Sequence, residues 1–331
     1  MKLLGHEPRI LVTGCGGFIG KHLLAKLSTI KNAVIYGVDT LSKLEQLSLT
    51  EFSKHDSTFV KLPVDLTDMN SCTQLPEVDF VFHLAAINGT QLFYEIPWDV
   101  FYNSGLSTIN LLNRYKKSKT LKRFVYTSSS EVYADLVSTN SQTKMTDEST
   151  SVGFQDVFNS RWSYGGAKLL GEIGVISAGH QFNFPFTILR YHNVYGPAMG
   201  INHVMPDFID RGKLGIFELF GAENVRSFIY ISDAIEATII SAQSIAAEHK
   251  IVHVGTTNPI SIYDLAKKIM ELSSWTGEIQ VRPAPLGSTN FRCPDTTFLN
   301  QRLGFTPKVD LETGLRLLLD EKGVTLNAFN N

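Results

Sequence analysis

Tyr164 and Lys168 stand four residues apart in RWSYGGAKLLGE, where a helical pattern begins. That spacing sends both side chains to one side of a helix. A nearby ammonium lowers a phenol from its ordinary pKa of about 10, and a bound nicotinamidium lowers it further. The pair is therefore suited to proton transfer near neutral pH. Upstream, LVTGCGGFIG sets Gly14, Gly17 and Gly20 between an apolar run and an amphipathic one. Glycines at such a turn let the backbone approach a pyrophosphate, while the helix N-terminus offers unpaired N–H groups and a positive dipole end. Asp39 ends the next apolar run, in YGVDT, where a carboxylate can bind both hydroxyls of a ribose. It would repel a 2′-phosphate and no Arg or Lys follows immediately, so the expected cofactor is NAD rather than NADP. Asp65, in VDLTD, either touches the adenine or caps a helix.

A third group of chemical side chains closes a strand-like run. YTSSSEVYADL, Tyr126 to Leu136, carries three serines and then Glu131. Hydroxyls at a strand end commonly satisfy nearby backbone groups, the role expected of Thr127 and Ser128. Period-two alternation leaves open whether Glu131 points into a site or sits as a structural carboxylate on its rim.

The elements that must hold these residues alternate along the first half. Arg9–Thr13, Ala33–Val38, Phe59–Leu62, Phe80–His83, Arg123–Thr127 and Phe186–Arg190 read as strands rich in Val, Ile and Phe. Between them Phe18–Thr29, Thr67–Leu75, Trp98–Lys119 and Ser163–His180 have helical spacing. Such alternation builds a parallel sheet covered on both faces. Ser138–Ser151 is polar and reads as a surface loop. Beyond Tyr191 the elements are shorter and mixed. Ser261–Trp275 and Leu311–Asp320 read as helices, and Ile251–Gly255 and Glu278–Arg282 as strands, which predicts a smaller C-terminal lobe.

The chain has 331 residues, 43% hydrophobic and 19% charged, enough for one large domain or two closely joined ones. A net charge of −2 argues against nucleic acid or an anionic membrane as the main partner. No apolar run approaches the roughly 18 residues of a membrane span, and Met1–Pro8 is too short and polar for a signal peptide. Cys15, Cys72 and Cys293 are far apart and match no metal-ligand spacing, so no metal site and a reduced, cytoplasmic setting are expected. Cys15 itself reads as a small apolar filler.

Taken together, TGCGGFIG, DLTD, HLAA, TSSSEVY, YGGAK, RYHNVYGP, RSFIYISDAIEA and the closing FRCPDTTFLNQRLGFTPKVDLETGL resemble the extended short-chain dehydrogenase/reductases, the NAD-dependent sugar-nucleotide epimerases and dehydratases. The resemblance runs over nearly the whole chain. It implies a Rossmann-type doubly wound parallel sheet over residues 1–191. A smaller substrate-binding lobe would occupy 192–331, with some segments returning to the sheet. It also implies that Phe18, Ile19, Leu66, Leu84, Ala85, Ala86 and Asn103 join the glycine turn, Asp39, Asp65, Tyr164 and Lys168 around NAD. Ser129 would hydrogen-bond the C4 hydroxyl of a nucleotide-diphosphate sugar while Tyr164 takes its proton, giving a 4-keto sugar, and Ser130 would lie beside it. Asn193, Arg226 and Arg292 match residues that contact the sugar or diphosphate, a role that bidentate guanidinium pairing suits. The segment around Ile201–Lys213 would wall the nucleobase. A homodimer through a four-helix bundle of Trp98–Lys119 and Ser163–His180 is implied too.

The family divides after C4 oxidation. A carboxylate in the position of Glu131 could remove the proton that the ketone acidifies at C5 and drive loss of water. In decarboxylases the 4-keto intermediate is a β-keto acid that expels CO₂. Epimerases need no further acid or base. Arg161-Trp162 resembles bacterial decarboxylases of lipid A modification, although Ser232 stands where those carry an arginine. Ser130 stands where dehydratases with an Asp-Glu pair carry aspartate, and Ala134 where the family usually has glycine. Dehydration or decarboxylation with help from Glu131 is the leading expectation, 4-epimerisation the alternative, and a catalytically silent NAD-binding regulator the reading of another class.

Overall fold

A computed structural model describes residues 7–48, 56–134, 145–201 and 203–326. In chain order the main elements are β1 (Arg9–Thr13), α1 (Phe18–Leu27), β2 (Val34–Asp39), α2 (Leu41–Glu45), β3 (Thr58–Pro63), α3 (Met69–Thr73) and β4 (Phe80–His83). There follow α4 (Leu92–Glu95), α5 (Pro97–Tyr115), β5 (Arg123–Ser129), α6 (Trp162–Phe182), β6 (Phe186–Tyr191), β7 (Val194–Tyr195) and α7 (Val204–Gly212). The remainder comprises β8 (Glu218–Phe220), β9 (Val225–Arg226), β10 (Ile229–Tyr230), α8 (Ile231–Gln243), β11 (Lys250–Val254), β12 (Ile260–Ser261), α9 (Ile262–Leu272), β13 (Gln280–Arg282), β14 (Phe291–Arg292) and α10 (Leu311–Glu321).

Seven strands form one parallel sheet in the order β11-β6-β5-β4-β1-β2-β3. It is the doubly wound sheet the sequence predicts. Helices cover both faces, so β4 and β6 are buried at every position. The chain runs outward from β1 through β2 to β3, then returns to lay β4 on the other side of β1. That reversal opens a crevice beyond the carboxyl ends of β1 and β4, where ligands bind such sheets. β11 comes from the C-terminal part of the chain and pairs with β6 at the sheet edge, Lys250 opposite Thr187. The remaining short strands form small sheets in the C-terminal half, β12-β9-β14 among them.

Several boundaries differ from the sequence reading for local reasons. The helix expected over Thr67–Leu75 shortens to α3 because Asp68 caps it, accepting from the N–H groups of Asn70 and Ser71. α5 starts at Pro97, a residue suited to a first turn. α2, α4, α7 and α8 were not expected; α2 and α4 are too short to show a helical period. Of the loop expected over Ser138–Ser151, residues 138–144 lie outside the described residues, and 145–151 hold only a bridge between Thr146 and Pro294. Among the described residues no helix is long and apolar enough to cross a membrane.

Candidate functional site

The carboxyl ends of the strands open into a cavity of about 1510 Å³ that runs from the glycine turn to β14. Its wall includes every residue the sequence singled out for cofactor or substrate: Gly14, Gly17, Phe18, Ile19, Gly20, Asp39, Asp65, Leu66, Leu84, Ala85, Ala86 and Asn103 at one end, Ser129, Ser130, Glu131, Tyr164 and Lys168 in the middle, and Asn193, Arg226 and Arg292 at the other.

At the first end, Gly14 has φ +68°, and a Cβ there would stand 2.8 Å from the Ala85 nitrogen. A Cβ on Gly20 would lie 2.2 Å from the Gly14 carbonyl oxygen. Neither position admits a side chain, so the turn stays tight against β4 and α1. The Gly16 N–H donates to Asp39 Oδ2 at 2.9 Å and the Thr40 N–H to Oδ1 at 2.8 Å, fixing the carboxylate at the cavity wall. A bare backbone cradle at a helix start, with a fixed acid at the next strand end, fits a dinucleotide. Cys15 is fully buried beneath Gly37; burial first and Asp39 second push its thiol up to about 12, as an inert filler requires. Asp65 Oδ1 accepts from the N–H and hydroxyl of Thr67, and the helix cap proper belongs to Asp68.

In the middle, Ser129 Oγ accepts the Glu131 N–H at 3.2 Å and faces the same cavity as Tyr164. Lys168 Nζ donates to the Thr127 carbonyl at 2.7 Å and lies 5.6 Å from the centre of the Tyr164 ring. Phe93 stacks on that ring at 5.0 Å, with 10° between the planes. The expected lowering of the phenol by Lys168 is overturned for the protein alone. Burial, then the Glu131 carboxylate, push Tyr164 above its ordinary value, and only Ser129 opposes them. Burial also pushes Lys168 down to about 7, with Glu172 opposing.

Thr127 Oγ1 donates to the His83 carbonyl at 2.9 Å, the backbone role expected of it. Ser128 differs. Its hydroxyl donates at 2.5 Å to Glu172, which forms a buried two-pronged pair with Arg190 at 2.6 and 2.9 Å. Arg190 in turn donates to Tyr133, which meets His253 Nε2 at 2.7 Å. This network lies behind the serine strand and keeps its end rigid.

Glu131 is not a free rim carboxylate. Its Oε1 accepts from Arg292 Nη1 at 2.6 Å and Arg161 Nη2 at 3.3 Å. Burial would raise the carboxyl, but Arg292, Arg161 and Arg226 outweigh it and hold the group at about 2. Arg226 donates to the carbonyls of Val225 and Thr289, at 2.8 and 2.6 Å. Burial and the neighbouring Arg292 push it down to about 9, still charged at neutral pH. Three guanidiniums therefore surround one carboxylate. Asn193 has φ +43° and donates its amide to the Ser227 carbonyl at 2.8 Å. Of the segment expected to wall the nucleobase, Asn202 lies outside the described residues; His203 and Val204 face the cavity. His192 is fully buried, in keeping with a packing role.

The sequence reading assigned no site role to Arg161, Phe93 or Tyr94. Arg161 carried a signal in its pairing with Trp162. Phe93 and Tyr94 carried none, because four helical residues give no period to read.

A family model described as the NAD dependent epimerase/dehydratase family matches residues 10–255. The UDP-N-acetyl-α-D-glucosaminuronate decarboxylase of Bacillus cytotoxicus is 31% identical, the match covering 94% of this chain and 96% of that protein. The dTDP-D-glucose 4,6-dehydratase of Homo sapiens is 26% identical over 96% of this chain and 90% of its own. Among solved structures, UDP-glucose 4-epimerase from Thermotoga maritima with UDP-glucose superposes with a TM-score of 0.82, at 26% identity, covering 95% of this chain and 98% of that one.

Proposed function

The chain belongs to the NAD-dependent epimerase/dehydratase family, and from that premise we propose that it oxidises a nucleotide-linked uronic acid at C4 and then decarboxylates it. It is an NAD-dependent nucleotide-sugar enzyme; the uronate and the loss of CO₂ are our reading. The carrying observation is the clamped Glu131 among Arg161, Arg226 and Arg292, beside Ser129 and Tyr164.

Two consequences of that cluster favour the reading. A carboxylate held at about 2 is a poor base for the C5 proton, which counts against dehydration. Three guanidiniums against one carboxylate leave positive charge for a further anion, and a uronate brings a C6 carboxylate in addition to its diphosphate. The likeness to a uronate decarboxylase points the same way.

In this reaction Gly14, Gly17, Gly20 and Asp39 hold NAD with Phe18, Ile19, Asp65, Leu66, Leu84, Ala85, Ala86 and Asn103 around it. Bound NAD supplies the hydride acceptor at C4 and a positive charge beside Tyr164. Tyr164 takes the C4 hydroxyl proton while Ser129 hydrogen-bonds that oxygen and Lys168 steadies the ribose side of the site. With C4 a ketone, the C5–C6 bond breaks and CO₂ departs, the bond's electron pair leaving a C4–C5 enolate. Ser129 and the protonated Tyr164 donate to the developing oxyanion. C5 then takes a proton to restore the ketone, and the hydride removed at the start returns to C4. Ser130, Asn193, Arg226 and Arg292 bind the remainder of the substrate.

A 4-epimerase is the second reading, favoured by the same pairing of Glu131, since epimerisation needs no base beyond Tyr164. Mass spectrometry of the protein incubated with NAD and a panel of nucleotide sugars, uronates included, separates the outcomes. Loss of CO₂ from a uronate supports the proposal. An isomer of unchanged mass, or a product lighter by one water, replaces it with epimerisation or dehydration.

A homodimer through α5 and α6 belongs to the same reading. Trp98 is 67% exposed and Ile173 57%, and Phe101, Tyr102, Ile109 and Leu170 on these two helices are exposed as well. A cytoplasmic setting is supported by three free, buried cysteines.

A further inference from the structure

Tyr164 does not pack into either large core of the protein. Its ring belongs to a small separate cluster with Phe93 and Val100, flanked by Ala86, Ile87 and Leu92. The Phe93 ring, 2% exposed, forms the face against which the phenol lies parallel. The next residue reaches the opposite way. The Tyr94 hydroxyl donates to the Leu286 carbonyl at 2.8 Å, which Asn159 Nδ2 also approaches at 3.4 Å, and Asn159 Oδ1 accepts the Arg161 backbone N–H at 3.0 Å. Arg161 pairs with Glu131, and Glu131 with Arg292. Both aromatic residues come from α4, a single turn. One turn has no independent helical stability, so its side-chain contacts must hold it in place.

We propose that α4 is a positioning element that ties the acid/base tyrosine to the arginine cluster, Phe93 setting the plane of the Tyr164 ring and Tyr94, through Leu286 and Asn159, the place of Arg161. The inference rests on the acid/base reading of Tyr164 and goes beyond it by assigning work to two residues that need not touch the reacting atoms. A phenol that transfers a proton must keep its oxygen at Ser129. A stacked ring on one face restricts the swing of the tyrosine and keeps water off it. Through Tyr94, displacement of Arg161 by a bound anion is felt at the same helix. Anion recognition and proton transfer then share one element.

Phe93→Leu retains apolar bulk without a ring face. We expect kcat to fall about tenfold, the scale of one aromatic pair, with KM changed less than about twofold. Phe93→Tyr restores the stack and should recover kcat to within about twofold. Tyr94→Phe keeps the ring and loses the hydroxyl; KM should rise about fivefold, the scale of one hydrogen bond, with kcat nearly constant. Wild-type kcat in Phe93→Leu, or equal losses in Phe93→Leu and Phe93→Tyr, overturns the proposal.

A substrate-free measurement separates its failure from that of the reaction assigned above. In the NAD-loaded protein, the tyrosinate absorbance lost in Tyr164→Phe marks the Tyr164 phenol. Phe93→Ala opens one wall of that phenol to water and should move its titration to lower pH. An unmoved titration refutes the role of Phe93 whatever sugar the enzyme uses. A moved one upholds that role even if no uronate is turned over.

Discussion

Arg292 Nη1 and Glu131 Oε1 meet at 2.6 Å although 161 residues separate them in the chain. The contact joins β14 to the end of the serine strand, so it fixes the geometry of the cavity as well as its charge. Both side chains are nearly buried, at 6% and 13% exposure, which makes the pair costly to break.

Glu131→Gln should therefore destabilise the protein, by about 3 kcal/mol, because Arg161 and Arg292 lose their counter-ion in a buried place. The dependence on pH has a definite sign. A carboxyl lowered from 4.5 to about 2 contributes stability that is fully present above its unfolded value and lost as pH falls toward 2. Urea midpoints for wild type and variant should differ at pH 7 and converge in strong acid. A gap that persists at low pH would show that the carboxylate's charge is not what stabilises the site.

Lys168→Met should abolish activity and yet raise the melting temperature at neutral pH. Lowering the buried ammonium from 10.5 to about 7 costs the fold on the order of 3 kcal/mol at pH 7 after allowing for its bond to Thr127. The unfolded chain binds this proton more tightly, so wild-type stability rises with pH between about 7 and 10.5. Thermal melts at about pH 7 and about pH 10 should show the variant's advantage shrinking.

Glu172 and Arg190 are each 3% exposed in the side chain, and Glu172 also accepts from Ser128. Glu172→Leu or Arg190→Met alone should cost about 3–5 kcal/mol, while the two changes together should cost much less. A double-mutant cycle by urea unfolding measures the difference. Strict additivity would mean that the two residues act separately.

Ala134 ends the turn after the serines at φ +45° and ψ −127°, a conformation that strains any residue with a Cβ. Ala134→Gly should stabilise the protein by about 1 kcal/mol, read as a higher urea midpoint. No gain would place the strain elsewhere.

The sheet was legible in the sequence because its strands are rich in Val, Ile and Phe and its glycine turn stands where strand meets helix. Arg9–Thr13 and Phe80–His83 have the ends that the reading gave them. The residues of the cavity were legible as a set, since motif order along the chain maps onto strand ends along the sheet. Electrostatics were not. Spacing placed Lys168 beside Tyr164 but could not show that burial outweighs their attraction. Nor could it show that Arg292 also pairs with Glu131, a partner 161 residues away.

The place of β11 at the sheet edge bears on how the protein is made. Until Lys250–Val254 has left the ribosome, β6 remains an open edge of unpaired N–H and C=O groups, able to pair with a strand of another chain. The β6 edge thus stays open while the chain grows from Tyr191 to Val254, although the rest of its sheet has already been translated. Truncations that stop at Tyr191 should inherit that vulnerability permanently, and a severed C-terminal piece supplied separately would be competing with self-association for the same edge.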